Sequence, residues 1–509
     1  MAIQALPIDI LLLIMDVSPL PTIGKMTRTC HALRQSGARS LLEGEVSLTT
    51  GSSIISFVQF LYADAATRFP YLCALEIASG ELPPRAVDAL QGLISHPLLA
   101  LESLTLREAD VMLKSTPTHP HPAGITDPTP LVIAFSALTT LRHLTIDECD
   151  QRACSLITAI RSPLRTISIG FTPLTTWHNS EDAQRRNPIV LLANVSDTLE
   201  EISASNVAMA LEHVMYDIVY PSVRRVSVTY DGIWIPKTLA YTSAFPNLVH
   251  FSFTSIRGHP AGDFASPAEF FQATLYRTSN RESQERYGRT WEHLEELVGG
   301  APDVFLLGLT RHVPRLRLTG PSSPDTTLRV VLEDIRPTSL AITLVCAAIF
   351  DDDSMASVLR TYPSAEELRT LEMELCLDAD EGDVNVHAML NNVARTLALL
   401  PLRDLTLTLN YGLLTNADKS EHPLYPALSD FDSLDLEVTA RLFRAAMPSL
   451  VDVVVRLSTD CTWYESICDA LADDGSAVSP RSGSSDSEDE DEMEGDLGSF
   501  MMEEDDHGW

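Results

Sequence analysis

Three groups of residues have side chains that could do chemistry. Asp351-Asp352-Asp353 sets three carboxylates side by side, as a hard cation would require, and His119-Pro-His121 offers two imidazoles. Eight cysteines complete the set, the closest pairs being Cys149/Cys154 and Cys461/Cys468, neither a CxxC. None of these reaches a ligand count. The aspartates lack an acidic partner at helical spacing and follow an apolar run that reads as a strand, so they read as a solvated turn. Two histidines on a proline loop are too few for a closed zinc site. Cys73, Cys149, Cys346 and Cys376 lie in apolar stretches, where a reduced thiol behaves as a small hydrophobe. No nucleophile elbow, P-loop, dinucleotide fingerprint or HExxH occurs. The sequence therefore assigns no catalytic residue, no metal and no cofactor, and points to a binding protein rather than an enzyme.

Charge narrows the class of partner. The chain of 509 residues has a formal net charge of −34. From Asp486 onward there are 12 Asp/Glu and no Lys or Arg, so removing that tail still leaves −34 + 12 = −22 on residues 1–485. Such a surface repels phosphate backbones, which excludes generic nucleic-acid binding. The apolar run Leu340–Phe350 is about half of what a membrane span needs, and Ile8–Met15 has neither a basic flank nor a cleavage site. The absence of a disulfide framework favours a reducing compartment. A soluble protein of the cytoplasm or nucleus, with no membrane partner, is expected.

The elements that would position a binding site begin at the N-terminus. Ile10, Leu11, Ile14, Val17, Ile23, Met26, Cys30 and Leu33 recur at gaps that suit two short amphipathic helices joined by Ser18-Pro19-Leu20-Pro21-Thr22. Leu6-Pro7, the acid Asp9, the apolar Ile10, Leu11 and Ile14, then Ile23 and Met26, and finally Cys30 with Leu33-Arg34 resemble an F-box, of the type that fungal F-box proteins join to a C-terminal leucine-rich-repeat-like domain. That family's pattern opens Leu-Pro-x-Glu and closes Val-Cys-x-x-Leu-Arg. This chain departs from it at Ser18, where the family has a large apolar residue, and at Thr29, where it has valine. The resemblance covers less than a tenth of the chain. It implies a substrate-recognition subunit of a Skp–cullin–F-box ubiquitin ligase. Leu6, Pro7, Ile10, Leu11, Ile14 and Ile23 would then bind the Skp-type adaptor and, through it, the cullin scaffold. The alternative is a non-enzymatic leucine-rich-repeat scaffold whose first helices only cap the array.

An internal repeat follows. The template L-x-x-L-x-L-x-x-N/C is met in full from Leu141, Leu368 and Leu402, and more loosely from Leu72, Leu101, Leu164, Leu199, Val223, Leu248, Val313, Pro337 and Leu450. The alternation sends the leucines inward and leaves the third, fifth and seventh positions on an exposed strand face. Helical apolar spacing marks Phe57–Ala66, Ala86–Ile94 and Gly382–Leu400, and Asp263–Gly299 reads as an inserted helical pair. Thr116–Gly124, rich in Pro and His, reads as an irregular loop.

The expected architecture is thus α/β: a short N-terminal helical F-box-like module (1–45), an irregular leucine-rich-repeat solenoid or horseshoe (46–472), and a disordered Ser/acidic tail (473–509). The concave face would hold an unknown protein substrate. Its expected contacts are a basic middle of Arg225, Arg315 and Arg317 together with His250, then an acidic third carrying Glu372 and Glu374. In the tail, Ser485 and Ser487 each have Glu three residues downstream, a pattern that resembles acidophilic kinase sites.

Overall fold

The structure, a computed structural model, describes residues 7–114, 129–172, 185–207, 217–230, 237–255, 266–322, 326–345, 354–361, 367–377, 384–398, 400–412 and 426–459. Fourteen strands form one sheet in which every neighbouring pair is parallel, and strand order follows chain order from β1 to β14. The strands are β1 (Glu45–Leu48), β2 (Ala74–Ala78), β3 (Ser103–Arg107), β4 (His143–Cys149), β5 (Thr166–Phe171), β6 (Glu201–Val207) and β7 (Arg225–Tyr230). They continue with β8 (His250–Ser255), β9 (Glu296–Gly299), β10 (Arg315–Ser322), β11 (Ser339–Val345), β12 (Thr370–Cys376), β13 (Asp404–Asn410) and β14 (Asp452–Ser458).

Parallel neighbours need a crossover, and helices supply it here. Three helices precede the sheet: α1 (Ile8–Asp16), α2 (Leu20–Met26) and α3 (His31–Leu42). Between strands lie α4 (Gly51–Tyr62), α5 (Ala65–Arg68), α6 (Pro84–Ile94), α7 (Ala109–Leu113), α8 (Pro130–Ser136), α9 (Gln151–Ala159), α10 (Pro188–Leu191) and α11 (Thr238–Ala244). Then come α12 (Pro267–Tyr287), α13 (Ala301–Leu307), α14 (Thr326–Ile335), α15 (Ser354–Thr361), α16 (Val386–Leu397), α17 (Pro426–Asp432) and α18 (Leu436–Ala446). Successive helices pack on one another, as α4 on α6 and α13 on α14. Strand residues alternate between buried and half-buried, so one sheet face lies under the helices and the other stays open.

Each of the twelve template copies coincides with a strand, and the copies are knitted by their backbones. The amides at template positions two and three donate to the position-two carbonyl of the preceding strand: Arg142 and His143 to Glu102, Arg165 and Thr166 to Arg142, Arg403 and Asp404 to Arg369. The expected architecture is nevertheless corrected. In place of a short helical F-box-like module followed by a leucine-rich-repeat horseshoe, the chain forms a single 14-stranded all-parallel sheet with helices. Its first strand begins at Glu45, the last residue assigned to the module. The physical reason is that L-x-x-L-x-L specifies only a parallel strand with one buried face. It does not specify how the connections fold, and these run from single turns to the 21-residue α12.

Two further readings change. The N-terminal stretch holds three helices where two were expected, because the chain leaves the helix after Met26, is extended at Cys30 and starts a new helix at His31 that runs to Leu42. The expected helical pair at Asp263–Gly299 is one helix, α12, followed by β9. Leu294 and Leu297 occupy the first two leucine positions of a template whose third is Gly299. A Cβ there would stand 2.4 Å from the carbonyl oxygen of Phe253, its register partner on β8, so this strand cannot carry the leucine that would identify it. The Thr116–Gly124 loop and the 473–509 tail lie outside the described residues.

The core follows from the alternation. Leu104, Leu106, Leu144, Ile146, Leu371, Leu405 and Leu407 are buried under the helices. Mid-sheet, aromatics replace leucine: Tyr230 stacks on Phe253 at 4.4 Å between ring centroids, and Phe251 meets Trp291 at 5.0 Å. Tyr230 is buried and needs a partner for its hydroxyl. It donates to Asp303 Oδ1 at 2.6 Å, while Asp303 Oδ2 accepts the amides of Ser255 and Gly300, each at 3.2 Å. One buried carboxylate thus ties β7 and β8 to the start of α13.

Candidate functional site

Two surfaces are built by this fold. The first is α1. Met15, Ile23 and Leu33 form a small core joining α1, α2 and α3, with Leu11, Leu12, Met26 and Leu41 packed against it. That core is separate from the one beneath the sheet. Gly37 lets α3 close on its neighbours, since a Cβ there would lie 2.4 Å from Thr27 Cγ2 and 2.7 Å from Met15 Sδ. With Met15 turned inward, the other side of α1 is left outside. Ile8 is 40% exposed, Ile10 42%, Leu13 62%, Ile14 39% and Val17 84%. Ile10, Leu13, Ile14 and Val17 stand at i, i+3, i+4 and i+7, one stripe along one helix face. Scattered exposed apolar residues need no explanation, whereas a contiguous stripe makes this face a candidate surface.

The residues expected to bind an adaptor divide accordingly. Ile10 and Ile14 lie on the stripe, and Pro7 is exposed where α1 begins. Leu11 is half-buried against the small core and Ile23 belongs to that core, so these two hold the helices together. Leu6 lies outside the described residues. The sequence reading missed Leu13 and Val17 as surface residues; 100° per residue from Ile10 and Ile14 would have placed both on the same face.

The second surface is the open face of the sheet. Register brings equivalent template positions of consecutive strands side by side, about 4.8 Å apart. Six neighbouring strands contribute Thr105, Thr145, Ser168, Ser203, Ser227 and Ser252 in one row. These are small hydroxyls, half-buried, that can give and accept hydrogen bonds without carrying charge. Charge gathers at the ends of the row. On one side the Arg107 guanidinium bridges Glu76, at 3.1 Å, and Asp147. Hydrogen bonds from the Ser47 hydroxyl and from Arg107 hold the Glu76 carboxyl below its usual range.

On the other side lie the residues expected to hold a substrate. Arg225 is exposed at the start of β7, in register between Glu201 and His250. His250 Nδ1 is 3.0 Å from Glu296 Oε2. Arg315 faces Glu295 at 3.4 Å and Arg317 faces Glu372 at 3.7 Å. Glu374 accepts from Asn410 at 2.8 Å and from the Thr343 hydroxyl at 3.4 Å. The structure therefore brings all six onto one face, yet the expected basic middle is a band of matched charges: Glu295, just before the neighbouring strand β9, answers Arg315, and Glu372, two strands away on β12, answers Arg317. Aligning the templates of β10, β11 and β12 would have revealed Glu372, because parallel register sets Arg317 beside Ala341 and Ala341 beside Glu372; Glu295 precedes β9, which carries no full template.

Of the groups with possible chemistry, Asp351–Asp353, His119 and His121, the Cys461/Cys468 pair, and the tail serines Ser485 and Ser487 lie outside the described residues. Among the described residues no three His, Cys, Asp or Glu side chains come together to hold a metal ion, and no helix is long and apolar enough to cross a membrane. A cleft of about 300 Å³ opens between α16 and α18, lined by His387, Leu390, Asn391, Leu434, Val438 and Leu442 among others. Comparison of the chain with protein-family models finds no match, and comparison with curated proteins finds none either.

Proposed function

We propose that this chain is a non-catalytic substrate-recognition subunit of a Skp–cullin–F-box type ubiquitin ligase. In this role α1 docks on a Skp-type adaptor, and through it on a cullin scaffold, while the open sheet face receives a protein substrate. The observation that carries the reading is the outward apolar stripe Ile10–Leu13–Ile14–Val17 on a helical group with a core of its own. A helix that already has internal packing and still exposes four large apolar side chains on one face suits a partner groove. The F-box resemblance of residues 6–34 names the kind of groove. The open face supports the second half of the reading: its hydroxyl row and matched ion pairs offer a polar surface for a protein. Chemistry would occur on a conjugating enzyme that the complex recruits.

One observation favours a second reading, in which the first helices cap the sheet. Leu42, at the end of α3, is buried in the main core, and α3 touches β1. The two readings separate in a single experiment. The full chain, mixed with a purified Skp-type adaptor, is expected to co-elute with it in gel filtration and to lose it on Leu13→Asp without a change in melting temperature. Adaptor binding unaffected by Leu13→Asp, together with a lower melting temperature, would select the cap.

A further inference from the structure

We infer that Cys149 and Cys154 form a dithiol site that closes reversibly to a disulfide under peroxide. Their sulfurs lie 3.8 Å apart, the thiol of one donating to the other, at the junction where β4 hands over to α9. A disulfide needs about 2.05 Å between sulfurs, so the pair closes with a shift of under 2 Å. The junction has the means to supply it: the β4–β5 register shifts between Ile146 and Cys149, and Glu148 sits at φ +54°. A bulge leaves residues unpaired and locally disrupts the ladder, so Asp147 and Glu148, just before Cys149, are not held by regular strand pairing.

The two thiols have different roles. Cys149 is fully buried, and the hydrogen bond with Cys154 and desolvation push its pKa up, so it rests protonated. Cys154 keeps a small exposed area, 7%, and meets the oxidant first. Its thiolate attacks one oxygen of hydrogen peroxide, the O–O bond breaks, and the departing hydroxide takes up a proton to leave as water. The resulting sulfenic acid is attacked by Cys149 sulfur: the S–S bond forms, the S–O bond breaks, and the Cys149 proton leaves with the hydroxyl as a second water. Two thiols and one peroxide give one disulfide and two waters. Burial makes the reaction slow, and a dithiol reductant reverses it.

Arg152 lies between the two cysteines, which makes the test direct. The full chain is treated with hydrogen peroxide, remaining thiols are alkylated in denaturant, and the protein is cut with trypsin. The expected product is two peptides, divided after Arg152, joined by one disulfide and lighter by two hydrogens than the reduced pair. It should disappear on dithiothreitol and be absent from Cys154→Ser, in which Cys149 is recovered alkylated. Recovery of Cys149 and Cys154 both alkylated while exposed Cys30 is oxidised would overturn the proposal. So would conversion of Cys154 to sulfinic acid with no linked peptide.

Discussion

The replacement Ile10→Ala/Leu13→Ala tests the docking surface with a magnitude that the structure sets. Complete burial of a large aliphatic side chain is worth ~1.5–3 kcal/mol. Ile10 and Leu13 are 42% and 62% exposed, so together they hold about one whole side chain of apolar surface for a partner to cover. Truncating both should weaken the Skp-type adaptor complex by about 1.5–3 kcal/mol, or roughly ten- to a hundredfold in Kd. Stability of the free chain should move by no more than ~0.5 kcal/mol, because both side chains are outside the small core and alanine is the better helix former. Titration calorimetry reads the first quantity and urea unfolding the second. An unchanged Kd with a loss of ~2 kcal/mol in unfolding free energy would refute the reasoning, since it would mean that these side chains are already buried against the protein's own surface.

Four further outcomes follow from residues whose environment is fixed. Arg107→Gln removes the cation between Glu76 and Asp147 on the open face. Because Ser47 and Arg107 depress the folded Glu76 pKa, that stabilisation is complete above the carboxyl's unfolded pKa and is lost as pH falls through the folded one. The variant should therefore be less stable by up to ~1 kcal/mol at pH 7, the figure expected of a half-exposed pair, and in urea titrations the gap should narrow as the pH is taken below the ordinary carboxylate range. Gly299→Ala drives a Cβ to 2.4 Å from backbone oxygen, which cannot swing aside, and should cost ~1–3 kcal/mol by thermal melt. Gly24→Ala, where no atom lies within 4 Å, should be neutral or stabilising. Tyr230→Phe deletes a donor to the buried Asp303 carboxylate and should cost ~1.5–3 kcal/mol.

What the sequence revealed depended on whether a residue reports on its own strand or on a neighbour. Twelve strands were legible because Leu104/Leu106 or Leu405/Leu407 alternate within five residues, and burial of one face is a local property. β1 and β9 were not. At β1 the first template position is Glu43, and at β9 the third leucine position is Gly299, whose identity is set by the carbonyl of a different strand. The overall architecture failed for the same reason, since the template is silent about connections. In the candidate surfaces, Ile10 and Ile14 were found from periodicity, but the inward turn of Ile23 depends on how α2 meets α3. The charge balance of Arg315 and Arg317 depends on Glu295 and Glu372, and the second of these is two strands away from its partner.

The link between the two surfaces lies in two adjacent residues. Leu41 packs against the core of α1–α3 and Leu42 is buried in the core beneath the sheet. Neighbours in a helix point about 100° apart, so a single turn of α3 serves both cores, and Glu45 enters β1 three residues later. The chain has no room there for a flexible linker. A recognition subunit that holds a substrate while a separate enzyme acts on it depends on a fixed distance between its adaptor contact and its substrate contact, because effective concentration falls steeply once the two can move independently. In the proposed role, the join at Leu41-Leu42 is therefore as much a part of the function as either surface. In that role α3, running as one helix from His31 through Leu42, would serve as the rigid arm between the first helices and the sheet.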